Sequence, residues 1–339
     1  MKAVVFKRVG QPLVLEERPE PEIKSDQLLV RVKTAGVCGS DLHASEQNWT
    51  PANIVMGHEF AGEVVAVGKD VTGWSVGDRA VPLAKLVCGE CTNCIRNDYT
   101  NCENSEVIGF SPNADGGFAE YARISAATAL HLPDGLEYLD AAIVEPLAVG
   151  YNAVRIAELK MNDSVLIVGA GPIGLCIAQW CKHFGVTDVA VSELNTARLS
   201  LAIETGANIL IDGNKVDDPA AEFKRITGRN PSVIVEAVGV PGMIQRCIEI
   251  AAMHTRIVVV GVCFGYDQFQ PMLCFEKRLK LIFAAGYSVD DFAEILKLMD
   301  QGRISGKPLV SHRIRLEELP DMFERMRRPT DQIKVIVEP

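Results

Sequence analysis

Val165-Leu166-Ile167-Val168-Gly169-Ala170-Gly171-Pro172-Ile173-Gly174 decides the fold of the second half of the chain. A short apolar run leads directly into G-x-G-x-x-G, and helical sequence follows. Gly169 permits a tight turn, Gly171 lets a pyrophosphate approach the backbone, and Gly174 lets the helix lie close to its strand. The helix that starts at Pro172 offers the unpaired N–H groups of its first turn, from Ile173 onward, to phosphates. The next apolar run ends in Ser192-Glu193, at the distance expected for a ribose-binding carboxylate. A carboxylate there accepts the ribose hydroxyls and repels a 2′-phosphate, so Glu193 favours NAD over NADP. Arg198 points the other way, because a nearby arginine can serve a 2′-phosphate. The plainer alternatives are an ordinary strand–helix turn and a solvated carboxylate.

The rhythm around this segment is regular. Runs 164–168, 188–192, 207–211, 232–236, 256–260 and 279–284 read as strands. Runs 172–184, 195–204, 219–227 and 242–251 read as helices between them. Val/Ile-rich strands alternating with helices predict a doubly wound parallel sheet. Residues 140–159 carry apolar side chains at helical spacing and are expected to form one linking helix. Upstream, short alternating runs broken by Gly and Pro predict an irregular, mostly β region. After Gly286 come an amphipathic helix at 290–301 and a short β ending at 333–337. This tail resembles the first region, so the α/β unit is expected to be inserted into a β domain.

Of 339 residues, 48% are hydrophobic and 23% charged, which suits a buried core and excludes disorder. A formal charge of −10 disfavours nucleic acid and anionic lipid as partners. No apolar run approaches the roughly 18–20 residues of a membrane span. The N-terminal charge order is not that of a secretory signal. A cytoplasmic protein is expected. Its ten cysteines then need a use other than disulfides.

Four of them form Cys88-x2-Cys91-x2-Cys94-x7-Cys102. Four thiolates so close together suit a closed tetrahedral zinc site with no open position, hence a structural one. An iron–sulfur cluster also takes four thiolates. The four cysteines as a nucleic-acid ribbon are opposed by the acidic balance. A second set is dispersed: Cys38-Gly-Ser40-Asp-Leu-His43, Gly57-His58-Glu59 and Glu145. One Cys, one His and one or two carboxylates can hold zinc with a place left for substrate.

Taken together, these motifs resemble the zinc-containing medium-chain dehydrogenase/reductase superfamily from about residue 1 to 339. Gly77-Asp78-Arg79 and Gly116-Gly117-Phe-Ala-Glu-Tyr121 add to the likeness. The resemblance implies a GroES-like catalytic domain (1–149 and 286–339, with a zinc lobe near 86–104) and a Rossmann domain (150–285). It implies two zinc ions per chain, with Cys38, His58, Glu59 and Glu145 at the catalytic one. Classical alcohol dehydrogenases have a second cysteine where Glu145 stands, so the likeness is to the sorbitol, butanediol and threonine dehydrogenase branch. Ser40 and His43 match the proton-relay positions. Val238, Val260, Val262, Gly286 and Tyr287 are implied to flank the cofactor.

The implied activity is NAD-linked oxidation of a secondary alcohol, or of a polyol, diol or threonine, by a homodimer or homotetramer. A non-catalytic relative that binds NAD and zinc is the contrasting class. The Cys38–His58 stretch is shorter than usual in the family, so the substrate does not carry over. Ala84, Trp49, Leu86 and Phe110 are candidate pocket neighbours. Asn97 stands where a glycine is common, and Asn tolerates the left-handed region nearly as well.

Overall fold

The computed structural model describes residues 1–328 and 331–339, in two compact units: Met1–Glu145 with Tyr287–Pro339, and Pro146–Gly286. The second unit holds six parallel strands in the order Ile209–Asp212, Asp188–Glu193, Ser164–Val168, Val233–Glu236, Arg256–Val259, Lys280–Phe283. The order turns back at Ser164–Val168, every residue of which is buried. Its carboxyl end, where Gly169 follows, is thus the switch point at which such sheets bind ligands. Gly169 adopts φ +102°, and a Cβ on Gly174 would stand 2.1 Å from the Gly169 carbonyl oxygen. Both positions therefore require glycine.

The helices start where side chains cap them. Asn195 accepts from the Ala197 and Arg198 amides, and Asp218 from those of Ala220 and Ala221. Pro172, Pro219 and Pro271 sit in first turns, where a missing N–H costs nothing. Two sequence expectations need correction. Residues 140–159 form two helices, Tyr138–Ala141 and Val144–Ile156, not one. A helix absent from the expected set, Pro271–Lys277, precedes the last strand; it buries no residue fully, so no apolar stripe announces it.

The first unit is built on an antiparallel core. Gln27–Val37 pairs with Glu59–Val67, Tyr121–Ser125 and the last strand, Lys334–Glu338. Val310–Arg315 then adds parallel to Lys334–Glu338. The last strand of the chain therefore lies in the same sheet as Gln27–Val37, beside it. Phe6, Phe60, Phe118 and Phe323 fill the core, each contributing about 1.5–3 kcal/mol by burial. Leu319–Met326, a further helix not expected from the sequence, supplies Phe323. No helix among the described residues is long and apolar enough to cross a membrane.

Asp163 ties strands of the second unit together. Its Oδ1 accepts from Arg256 and, at 2.8 Å, from the Ser232 hydroxyl; its Oδ2 accepts from the Lys160 amide at 2.7 Å. Burial opposes its ionisation, but Arg256 and the other donors outweigh burial and hold its pKa below the usual range. A depressed carboxylate pKa stabilises the fold above its unfolded value and loses that effect as pH falls through the folded one. Asp163→Asn is therefore expected to cost about 1–3 kcal/mol in urea unfolding at neutral pH. The gap to the parent should begin to narrow below about pH 4 and go on narrowing as pH falls through the lower folded value; a gap that does not change with pH would refute the assignment.

Candidate functional site

Cys38 follows directly on the central strand Gln27–Val37 and caps the short helix Gly39–Ala44. Glu59 opens the neighbouring strand, Glu59–Val67, and pairs with Gly36, while His58 directly precedes it. A Cβ on Gly36 would lie 2.2 Å from Glu59 Oε2, so the carboxylate occupies the space that the glycine leaves. Strand pairing thereby brings Cys38 Sγ, a His58 ring nitrogen and a Glu59 oxygen within 4.8 Å of one another. His58 is 6% exposed and Glu59 1%.

Asp41, which sequence inspection passed over, organises two of these groups. Its Oδ2 accepts from the Cys38 amide at 3.0 Å, and its Oδ1 lies 3.3 Å from His58 Nδ1. That pair is buried and misaligned for a hydrogen bond, and Asp41 stands where a carboxylate behind a metal-binding histidine orients the ring. The other nitrogen, Nε2, lies 3.5 Å from Ser40 Oγ and is the one left for a metal. Burial alone would disfavour the imidazolium, but Asp41 and then Cys38 outweigh it and hold the His58 pKa well above the usual value. Metal binding must therefore displace a proton here.

Glu145, expected with Glu59 as an acidic ligand that alternates with it or binds through water, stands outside the 4.8 Å set of the other three. It sits in the first turn of Val144–Ile156, 9% exposed, where burial raises its pKa and His58 and Glu59 both act on it. Tyr287, expected beside the cofactor, turns its hydroxyl toward Glu145; burial first and Glu145 second push its pKa well above the usual value. His43 lies exposed in the last turn of its helix. Of the four pocket candidates, Phe110 packs on His58 at 5.1 Å between ring centroids. Leu86 is core, Ala84 is buried, and Trp49 is 54% exposed.

The four-cysteine lobe passes a simple fit test. Its sulfurs lie 3.5 Å (Cys88–Cys102), 3.9 Å (Cys88–Cys94) and 4.0 Å (Cys91–Cys102) apart. Zinc–sulfur bonds of about 2.3 Å in a tetrahedron require about 3.8 Å between sulfurs. A multi-iron cluster would need its cysteines farther apart, since iron and sulfide atoms lie between them. Backbone amides of Glu90 and Cys91 lower the Cys88 pKa to about 6, and those of Cys94 and Glu103 lower that of Cys91. Burial, with Cys102 and Cys91 beside it, pushes Cys94 up to about 12. Asn97 takes φ +60°, a left-handed turn that lets the loop close.

In the second unit the cofactor candidates assemble at the carboxyl edge of the sheet. Val238 lies against Gly169, and Gly239 against the backbone of Val262. Val238 and Val262 are exposed there, at 41% and 57%. Val260 closes the adjacent strand end, donating its amide to the Glu236 carbonyl. Glu236, missed in the sequence, is the buried anchor of this loop: its Oε1 accepts from the Val238 and Gly239 amides at 2.7 and 2.9 Å. Glu193 is likewise fixed, accepting from the amides of Ala170, Leu194 and Asn195. Gly286, at φ +75°, ends this unit.

Comparison with known proteins agrees with this geometry. Residues 24–134 match the alcohol dehydrogenase GroES-like domain, and residues 172–301 the zinc-binding dehydrogenase family. The (R,R)-butanediol dehydrogenase of Bacillus subtilis (strain 168) is 34% identical over 96% of this chain and 96% of its own. The chain belongs to the zinc-containing medium-chain dehydrogenase/reductase family. Within that family, the sorbitol dehydrogenase of Halalkalibacterium halodurans is 30% identical, covering 100% of this chain and 99% of its own. A zinc-binding dehydrogenase fold from Sinorhizobium meliloti 1021, solved bound to NADP, superposes with a TM-score of 0.88 at 28% identity; the match spans 100% of this chain and 99% of that one. As a member of this family, the protein is an oxidoreductase of the zinc alcohol dehydrogenase type that uses a nicotinamide cofactor.

Asp41→Asn keeps the shape but removes the carboxylate behind His58. Metal affinity at the Cys38 site, measured by chelator competition, is expected to fall about 10–100-fold. Cys91→Ser should instead lower the melting temperature and release one metal equivalent. A fully stable Cys91→Ser protein that is nonetheless inactive would contradict the structural role of the lobe.

Proposed function

We propose that the protein is an NAD-linked dehydrogenase of secondary alcohols and their ketones, with one catalytic and one structural zinc ion per chain. The convergence of Cys38, His58 and Glu59 from two paired strands carries this reading. Three protein ligands, one of them an anionic thiolate, leave a coordination position for substrate. Cys88, Cys91, Cys94 and Cys102 would hold the second ion, with their spacing near the tetrahedral value. Bound zinc supplies a Lewis acid that acidifies an alcohol, and bound NAD⁺ supplies the hydride acceptor.

The chain's own residues do the rest. Ser40, beside His58, accepts the proton that the alcohol loses, and exposed His43 passes it to solvent. Phe110 packs at a tilt against the His58 ring and would limit water beside it. Glu145 lies outside the three nearest candidate ligands and would be the second carboxylate available to the metal. Gly169, Gly171, Pro172, Ile173 and Gly174 cradle the pyrophosphate, while Val238, Val260 and Val262 line the dinucleotide and Gly286 closes the last turn.

Glu193 supports NAD rather than NADP. Three backbone amides hold its carboxylate in place, so it cannot swing aside for a 2′-phosphate. Arg198, on the helix that Asn195 caps, is the residue that would have to outweigh it. A cytoplasmic setting belongs to the same proposal, since the spacing of Cys88, Cys91, Cys94 and Cys102 suits a metal site rather than disulfides. So does self-association as a homodimer or homotetramer. The exposed Met272, Phe275 and Phe283, the last on the edge strand of the sheet, favour it.

A second reading, oxidation of a vicinal diol or polyol, is favoured by Glu145 and by the butanediol and sorbitol dehydrogenases among the relatives. A screen of NAD⁺ and NADP⁺ reduction across secondary alcohols, diols, polyols and threonine separates the two. Turnover with NAD⁺ and at least one class is expected, and Cys38→Ser should abolish it while leaving the fold intact. Cofactor binding without turnover on any class would end the enzymatic reading.

A further inference from the structure

Lys334 belongs to none of the residue sets discussed so far, yet it is 1% exposed and so is its partner Glu59. It opens the last strand, Lys334–Glu338, in which Val335 lies opposite Val37 of the central strand. From there its ammonium donates to both carboxylate oxygens of Glu59, at 2.8 and 2.6 Å, and to the Val37 carbonyl at 3.2 Å. Val37 immediately precedes Cys38. One cation therefore holds both the backbone before one candidate ligand and the side chain of another.

We propose that Lys334 is a built-in competitor of the metal for Glu59, a positioning residue that keeps this carboxylate a weak and displaceable donor. The inference rests on the reading of Cys38, His58 and Glu59 as a zinc site. Without metal, Lys334 supplies the charge that Glu59 would otherwise lack in a buried setting, so metal binding must offset that pairing. With metal present, an ammonium on both oxygens occupies about half of the roughly four acceptor positions of the carboxylate. A positive charge this close also repels a divalent ion. All three effects point the same way. Removing Lys334 should tighten metal binding and make the metal-free fold less stable. A lysine that merely braced the strand would do the opposite and loosen the metal when removed. The benefit of a displaceable donor is an available coordination position when an alcohol arrives.

The test uses the zinc-loaded full-length protein and follows zinc release to an excess of a chromogenic chelator. Cys38→Ser, measured first, identifies which release phase belongs to this site and which to the four-cysteine lobe. In Lys334→Met that phase is expected to slow about tenfold, within the range for changes of groups behind a metal ligand. Lys334→Arg should stay close to the parent. The metal-free Lys334→Met protein should melt below the metal-free parent, with the difference reduced when zinc is bound. Adding Lys334→Met to a Glu59→Gln background should lose most of the slowing, because no carboxylate charge is left to compete for. Replacing zinc with cobalt(II) reads the same change as an altered visible spectrum in Lys334→Met. Should Lys334→Met not fold, Lys334→Gln takes its place in every arm. Unchanged or faster release in the folded variant overturns the proposal, as does slowing that persists in full without Glu59. If Cys38→Ser removes no release phase at all, the zinc-site reading itself has failed, a result distinct from the failure of the lysine's role.

Discussion

The pairing of Gln27–Val37 with its neighbours is the constraint on which the rest of the first unit depends. This strand lies at the centre of its sheet and is joined to segments from three distant parts of the chain. At its end stands Cys38; across one edge stand His58 and Glu59; across the other stands Lys334. Strand register fixes side-chain direction with a period of two, so a slip of one residue would turn Glu59 away from Cys38. The absent side chain of Gly36 is part of the same requirement, because the Glu59 carboxylate fills its place.

The second consequence of that pairing is electrostatic. Asp41, Glu59 and Glu145 are all nearly inaccessible to water, and they crowd around one thiol and one imidazole. Several buried carboxylates so close to one another are costly unless cations offset them. The chain itself supplies Lys334, and the remaining imbalance is the physical basis for expecting a divalent ion. The four-cysteine lobe meets its charge differently. There backbone amides point at the Cys88 and Cys91 sulfurs and ease the deprotonation of those two before any ion arrives. One set of donors comes from a single loop, the other is assembled from the ends of strands far apart in the chain. That contrast follows from how each was built.

In the second unit, the same residue types serve a different end. Glu193 and Glu236 are carboxylates at strand ends whose oxygens are taken up by backbone amides. They fix the loops at the carboxyl edge of the sheet and hold Val238 near Gly169. Glu193 was legible because it falls at the expected distance from the glycine fingerprint. Glu236 was not, since a single acidic residue after a Val-rich run looks like an ordinary strand end. Two helices, Pro271–Lys277 and Leu319–Met326, also went unread. The first buries no residue fully, and both are too short for a sustained period to stand out.

What the amino-acid order determined by itself are the features whose parts lie close together along the chain. The G-x-G-x-x-G turn and Cys88, Cys91, Cys94 and Cys102 are local, so spacing alone constrains their geometry. The strand–helix alternation of the second unit is local too, and it was readable for the same reason. Asp41 could have been found, because a carboxylate three residues after Cys38 is a capping signal. Lys334 left a fainter trace, a lone charge within Ile333-Lys334-Val335-Ile336-Val337 that asks for a buried partner. Only the tertiary structure could name that partner as Glu59, place Glu145 outside the three nearest ligands and turn Tyr287 toward it. Those outcomes depend on register and burial among segments hundreds of residues apart, and no spacing within the sequence encodes such distances directly.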